Sequence, residues 1–184
     1  MNLKSTIHLI YSAALLSVLS SFASGKWFLF EDKEFGFKIE FPGEPTATPQ
    51  MIDSDIGQLK MNIVMYDASE KGNDDNLVYM TNVTEYPDSL INSDRTDILD
   101  NFFRGAIDGA VNNVKGKLLT EEIKNLADYP GREITVDYGQ GMAIIRMRLF
   151  LIDNRAYMLQ TITETGKSNN EAIHRFMDSF ELLK

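Results

Sequence analysis

The chain has 184 residues, 18 Lys+Arg against 27 Asp+Glu, and a formal net charge of −9. An acidic balance of that size opposes binding to nucleic acid or to anionic membrane surfaces, and serves solubility. Cysteine is absent, which excludes thiol catalysis, thiolate metal sites, disulfides and a lipid-carrying cysteine.

The segment Met1–Gly25 has the three parts of a secretory leader: Lys4 as a positive n-region, an apolar or small run from Ile7 to Phe22, and small residues at Ser21, Ala23 and Gly25. Cleavage fits after Ala23 or after Gly25. The rival is an uncleaved anchor, but a spanning helix needs about 20 predominantly apolar residues. Here the run is shorter and broken by Ser12, Ser17, Ser20 and Ser21. The expectation is a 1–25 signal peptide and one 26–184 domain, periplasmic or extracellular, with no stable membrane anchor after cleavage. Without the leader the chain holds 17 Lys+Arg against 27 Asp+Glu, a net −10 on 159 residues. A domain of that length buries enough surface to need no disulfide.

In chain order, Gly36–Phe41 alternates with Phe37, Ile39 and Phe41 on one side, as a half-buried strand does. Residues Gly43–Asp55 read as a loose connection, and Gly43, like Gly131, follows a proline as type II turns prefer. Leu59, Met61, Ile63 and Met65 alternate again. Ala68–Asn76 is a polar loop carrying Glu70, Asp74 and Asp75, and Leu77–Thr84 is a weaker strand.

A helix follows, capped by Ser93 or Asp94, with the stripe Ile98, Leu99, Phe102, Phe103, Ala106, Ala110 and Val114. Gly116 is a plausible stop. Lys117–Ile123 and Arg132–Tyr138 read as strands. Ala143–Ile152 and Arg155–Thr163 form a hairpin across Asp153-Asn154, which sets Leu151 opposite Ala156, Leu149 opposite Met158, Met147 opposite Gln160 and Ile145 opposite Ile162. Near the C-terminus Ser168 and Glu171 have capping-box spacing before a second stripe, Ile173, Phe176, Met177 and Phe180. Hairpin-joined strands with two amphipathic helices predict an α+β fold, an antiparallel sheet that the helices cover.

Trp27 with Glu34-Phe35-Gly36-Phe37 and Phe41-Pro42-Gly43-Glu44-Pro45 resembles the opening of exported bacterial proteins of the PsbP/Mog1-like fold. Tyr129-Pro130-Gly131-Arg132-Glu133, Arg148-Leu149-Phe150-Leu151 with Asn154-Arg155-Ala156-Tyr157, and Phe176 with Ser179-Phe180-Glu181-Leu182 resemble its later signatures. The resemblance implies an antiparallel β-sheet flanked by helices, an α/β/α sandwich, and no activity. Its members include a photosystem II extrinsic subunit and a nuclear-transport GTPase partner, and the leader argues against the second role.

Chemistry is sparse. The portion after the leader has one histidine, His174, on the helix side opposite the stripe, and no G-x-S-x-G elbow, so a Ser–His–acid set is not expected. Asp53, Asp55, Glu70, Asp74 and Asp75 are oxygen-rich but lack EF-hand spacing. Gly139-Gln140-Gly141 reads as a hairpin turn rather than a dinucleotide fingerprint. No cofactor and no metal is expected.

The least bland feature is a candidate interface. In the hairpin register Arg146, Arg148 and Phe150 share the face opposite the apolar one, with Arg155 and Tyr157 beside them, and arginine among aromatics suits interfaces and anion sites. The alternative is that this face packs under a helix, or that its arginines pair with Glu133 and Asp137. The leading expectation is a non-enzymatic exported binding or accessory domain, with an unknown protein or small ligand as partner. The alternative is a small-ligand binder or a carboxylate-based hydrolase.

Overall fold

The computed structural model describes residues 26–54 and 56–183. Residues 1–25, read above as a leader, and Asp55 lie outside the described residues. The elements run β1 (Phe28–Asp32), β2 (Phe37–Phe41), β3 (Thr46–Ser54), β4 (Gly57–Asp67), β5 (Asn76–Glu85), α1 (Leu99–Asn113), β6 (Lys117–Ile123), β7 (Gly131–Tyr138), β8 (Ala143–Ile152), β9 (Arg155–Glu164), α2 (Glu171–Asp178) and β10 (Glu181–Leu182). Seven strands form one antiparallel sheet in the order β3-β4-β5-β9-β8-β7-β6, and β1-β2-β10 form a small second sheet. The class is α+β, as the alternation and the two stripes imply.

The β8–β9 register matches the two-residue turn: Leu151 opposes Ala156 and Ile145 opposes Ile162, with the positive φ on Asp153. Two cores result from this alternation. On one side of the large sheet Val64, Tyr66, Tyr79, Val83, Phe150, Tyr157 and Leu159 meet the small sheet (Phe37, Ile39, Phe41) and α2 (Ile173, Phe176, Met177). On the other side Ile134, Val136, Ile145, Met147, Leu149 and Leu151 meet Phe103 and Ile107 of α1. Each of the buried phenylalanines contributes roughly 1.5–3 kcal/mol relative to exposure.

The first layer differs from a plain helical one. It is a short helix plus three strands, of which β1 and β10 carry no clear periodicity. Residues 46–54, read above as a loose connection, form the edge strand β3, paired with β4 along its whole length. All but one of its residues are exposed, so no alternation marks it, and Pro49 is tolerated because an edge strand has one side without a ladder.

Both helix starts move. α1 begins at Leu99, and its N-cap Ile98 supplies no side-chain bond. Ser93 instead locks the preceding turns to the β8–β9 turn: its amide donates to the Asp153 carbonyl at 2.8 Å, and its hydroxyl accepts from the Asp153 amide at 3.0 Å. At α2 the cap is Asn170, whose side chain accepts from the Ile173 amide at 3.0 Å, while Ser168 closes a short 3-10 turn. Gly43 and Gly131 do not take positive φ; they are close-approach glycines. A Cβ at Gly131 would sit 2.3 Å from the Lys124 carbonyl oxygen, and one at Gly43 2.7 Å from the Tyr66 ring.

Candidate binding surface

The five residues singled out in the β8–β9 hairpin all sit on the α2 side of the sheet. Phe150 and Tyr157 are closed inside the molecule, at 4% and 2% exposure. Phe150 stacks on Phe180, and the Tyr157 hydroxyl donates to the Phe35 carbonyl at 2.7 Å. Arg148 is 6% exposed. Its Nε donates to Glu133 and its Nη1 to Asp178 of α2 at 2.6 Å. Arg155 is half-buried against Glu85, at 2.9 Å from Nε, and its guanidinium lies over the Phe35 ring.

Arg146 is the loosest of the set. Its Nη1 is 3.9 Å from Glu133, and its Nε is buried without a hydrogen-bond partner in the structure. Asp137, the other acid considered, accepts from the Gly141 amide at 2.7 Å. Arg146 and Arg148 are therefore set mainly as ties between β7, β8 and α2, and Arg155 ties β9 to β5. His174 is exposed on α2.

The acidic loop is likewise occupied internally. Asp74 accepts from the Tyr79 hydroxyl at 2.8 Å and from the Asn76 amide at 2.8 Å. The Asn76 side chain bonds Tyr79 and the α2 cap Asn170, joining the loop to the helix. Burial, then the Asp74 acceptor, pushes the Tyr79 phenol well above its ordinary range. Among the described residues no group of three or more His, Cys, Asp or Glu could hold a metal ion.

The α1 side presents a different surface. α1 rests on β7 and β8, with Phe103 and Ile107 buried there. Arg104 reaches outward to Glu121 of β6 at 2.8 Å, and Arg132 lies over the Phe103 ring. The opposite flank of α1 carries Phe102, edge-to-face with Tyr86, the residue that follows β5. On that flank the α1 sides of β9, β5 and β4 are less fully covered, a half-open floor: Gln160, Thr84 and Leu59 are buried, Met61, Ile63, Met80, Asn82 and Met158 are half-buried, and Met65 is exposed.

Register identifies the floor. Met65 opposes Met80, Ile63 opposes Asn82 and Met61 opposes Thr84; Met80 opposes Gln160 and Asn82 opposes Met158. Gln50 of β3 reaches Met61 on the same side, Nε2 to Sδ 3.4 Å. Met65 is 41% exposed, and Met61, Ile63, Met80, Met158 and Ile162 are half-buried. Four of the nine methionines thus lie on this half-open face.

Charge is sorted across the same strands. Lys60 and Arg155, the basic residues of β3, β4, β5 and β9, both project to the α2 side, where each lies over the Phe35 ring. Alternation instead gives the floor Asp67 and Glu164 at one end, where Lys167 lies 3.8 Å from Glu164 and Lys115 lines the adjoining hollow. The Ser69 hydroxyl and amide hold the Asp67 carboxyl below the usual carboxylate range, so it stays charged. At the same end two hollows, of about 430 and 510 Å³, share Tyr138 and Ile162 and continue the floor beyond the end of α1. The sequence showed this strand face as the alternation of residues 59–65; it held no signal that the covering layer stops short of it.

The chain matches no known family model, and no curated protein matches its sequence. Among solved structures it is similar to cyanobacterial PsbP (CyanoP) from Synechocystis sp. PCC 6803, with a TM-score of 0.48 and 10% identity, over 91% of this chain and 98% of that one. It is also similar to a protein of unknown function from Pseudomonas aeruginosa, with a TM-score of 0.33 and 11% identity, over 78% of this chain and 86% of that one. Likenesses this distant assign no activity to the chain.

Proposed function

We propose that the chain is an exported, non-enzymatic binding or accessory module that engages its partner through the open half of the α1 side. The leader motif in residues 1–25 and the resemblance of the Trp27–Pro45 and Phe176–Leu182 motifs to exported PsbP/Mog1-like proteins support the compartment. The open floor supports the binding role. Apolar side chains left partly exposed together can mark interaction sites, and methionine, unbranched and polarizable, is over-used at adaptable binding surfaces.

A photo-crosslinking side chain placed at Met65 tests this in the exported fraction. The reading expects one discrete adduct from position 65 and none from Leu119, which is exposed on β6 at the far edge. Adducts from neither position, or equally from both, would remove the surface from consideration. A second reading, a small apolar ligand, is favoured by the paired hollows around Tyr138 and Ile162. It expects an environment-sensitive apolar dye to bind there and Ile162→Lys to abolish the signal.

A further inference from the structure

We propose that Met65, Met80 and Met158 form a thioether site for a soft monovalent cation of the copper(I) class. The site goes beyond the binding-module reading and does not rest on it, because it needs no protein partner.

The donors decide the class of ion. The chain has no cysteine, and His174, the histidine of the described residues, stands on α2 across the sheet. Methionine sulfur is therefore the soft donor that the α1 side offers, and soft cations such as copper(I) select thioethers where hard ones select carboxylates. A thioether carries no proton, so it binds without the deprotonation that a thiol or an imidazolium requires.

Strand register brings the three together. Met65 of β4 opposes Met80 of β5, and directly opposed side chains have Cβ atoms about 4.5–5.5 Å apart. Sulfurs that share one ion through metal–sulfur bonds of about 2.3 Å lie at most about 4.6 Å apart. Cross-strand opposition supplies that spacing to an unbranched side chain with several rotatable bonds. Met80 in turn opposes Gln160 of β9, and Met158, two residues before Gln160, opposes Asn82. Met158 is thus the diagonal neighbour of Met80, about 7–8 Å away and within reach of a long side chain. Met61 falls outside the set, because it opposes Thr84 farther along β4 and its Sδ is taken by Gln50.

A second observation marks the same spot. Gln160 is 8% exposed, and among the described residues its side chain makes no hydrogen bond. A buried amide without a partner is costly. Beside Met80, its carbonyl oxygen is a weak further donor of the kind that completes sites for soft metals. Met80 and Met158 are half-buried and Met65 is exposed, so an ion enters past Met65 and is held where water is scarcer. Charge does not choose the site, since Asp67 and Glu164 stand at that end with Lys115 and Lys167. Donor softness chooses it.

Silver nitrate in chloride-free buffer is the probe, because silver(I) shares the preference for sulfur and keeps its oxidation state. The purified chain, isotope-labelled at the methionine ε-methyl carbons, is titrated and read by NMR. The proposal expects the Met65, Met80 and Met158 signals to move together and to saturate at one silver per chain. The signals of Met51 and Met142, which are more exposed than Met65, should move only afterwards. Met80→Leu and, separately, Met65→Leu should each weaken binding at least tenfold, while Met142→Leu leaves it unchanged. Leucine conserves the volume of methionine, so the melting temperature should barely move. Met65 is exposed, which keeps the test valid if Met80→Leu folds poorly. Movement of Met51 and Met142 in step with the other three would show single thioethers scavenging the ion and overturn the proposal. Binding that neither Met65→Leu nor Met80→Leu weakens, or no binding at all, would overturn it equally. Crosslinking from position 65 is done without silver, so its failure and the failure of this site are read separately.

Discussion

The two sides of the large sheet are built from the same alternating strands yet finished differently. On the α2 side every apolar residue from Val64 to Leu159 is met by the small sheet or by α2, and an aromatic cluster of Phe37, Phe41, Tyr79, Tyr157, Phe176 and Phe180 fills the space. Polar groups there are tied off by Arg148 and Asn76. On the α1 side one helix closes β7 and β8 and leaves β9, β5 and β4 less fully covered, with Met158, Met80, Met61 and Met65 on that face. Stability is thereby concentrated on one side and available contact surface on the other, and mutations should separate the two.

The widest gap is expected between Phe176→Ala and Met65→Ala. Removing the fully buried ring, which packs on Phe41 and Tyr79, should cost about 3–5 kcal/mol. Truncating Met65 on the open floor should cost well under ~1 kcal/mol, since surface changes rarely exceed about 0.5 kcal/mol. Urea unfolding of the two variants measures both; equal losses would mean that the floor is covered.

Arg148→Ala comes next. It leaves half-buried Glu133 with only the 3.9 Å contact to Arg146 and frees Asp178. Losing one partner of a fully buried pair costs about 3–5 kcal/mol, but Asp178 is largely exposed, so about 2–3 kcal/mol is expected. Arg146→Ala, with its single 3.9 Å contact, should cost less than half of that. A near-neutral Arg148→Ala would return the hairpin arginines to the role of surface contacts.

The buried phenols of the closed side give it an alkaline limit. Tyr79 and Tyr157 on that side are raised, chiefly by burial, and so is Tyr86, which packs on Phe102 on the α1 side. A folded-state value above the unfolded one, near 10, leaves stability intact below about pH 10 and removes it as pH rises further. Unfolding free energy followed from pH 8 to 12 should fall only in the upper part, and Tyr79→Phe should soften the fall. A more modest effect is expected at the α2 cap: Asn170→Ala should cost about 0.5–2 kcal/mol, read as a lowered melting temperature.

Much of this division was legible in sequence. The alternation of Phe37, Ile39 and Phe41, the β8–β9 register and the Ile173–Phe180 stripe follow from periods of 2 and 3.6 and from a two-residue turn, all local signals. The rest is not local. β3 has no apolar alternation because an edge strand exposed on both faces needs none, and β1 and β10 are strands only because β2 pairs with them. Ser93 looked like a cap because its bond to Asp153 spans 60 residues. Arg146 and Arg148 shared a predicted face, but that Asp178 closes over one of them depends on where α2 docks. The floor shows the same limit: residues 59–65 alternate as a covered strand would, and periodicity does not say what covers it.

Mild peroxide oxidation of the native chain, read methionine by methionine by peptide mass spectrometry, tests the open half-face most directly. Met147 and Met177, at 1% and 2% exposure, should be protected until unfolding. Met65 should oxidise quickly, with Met61, Met80 and Met158 following, since thioether oxidation tracks exposure. If Met61, Met65, Met80 and Met158 are as protected as Met147, something covers that side of the sheet and the account of an open binding floor is wrong.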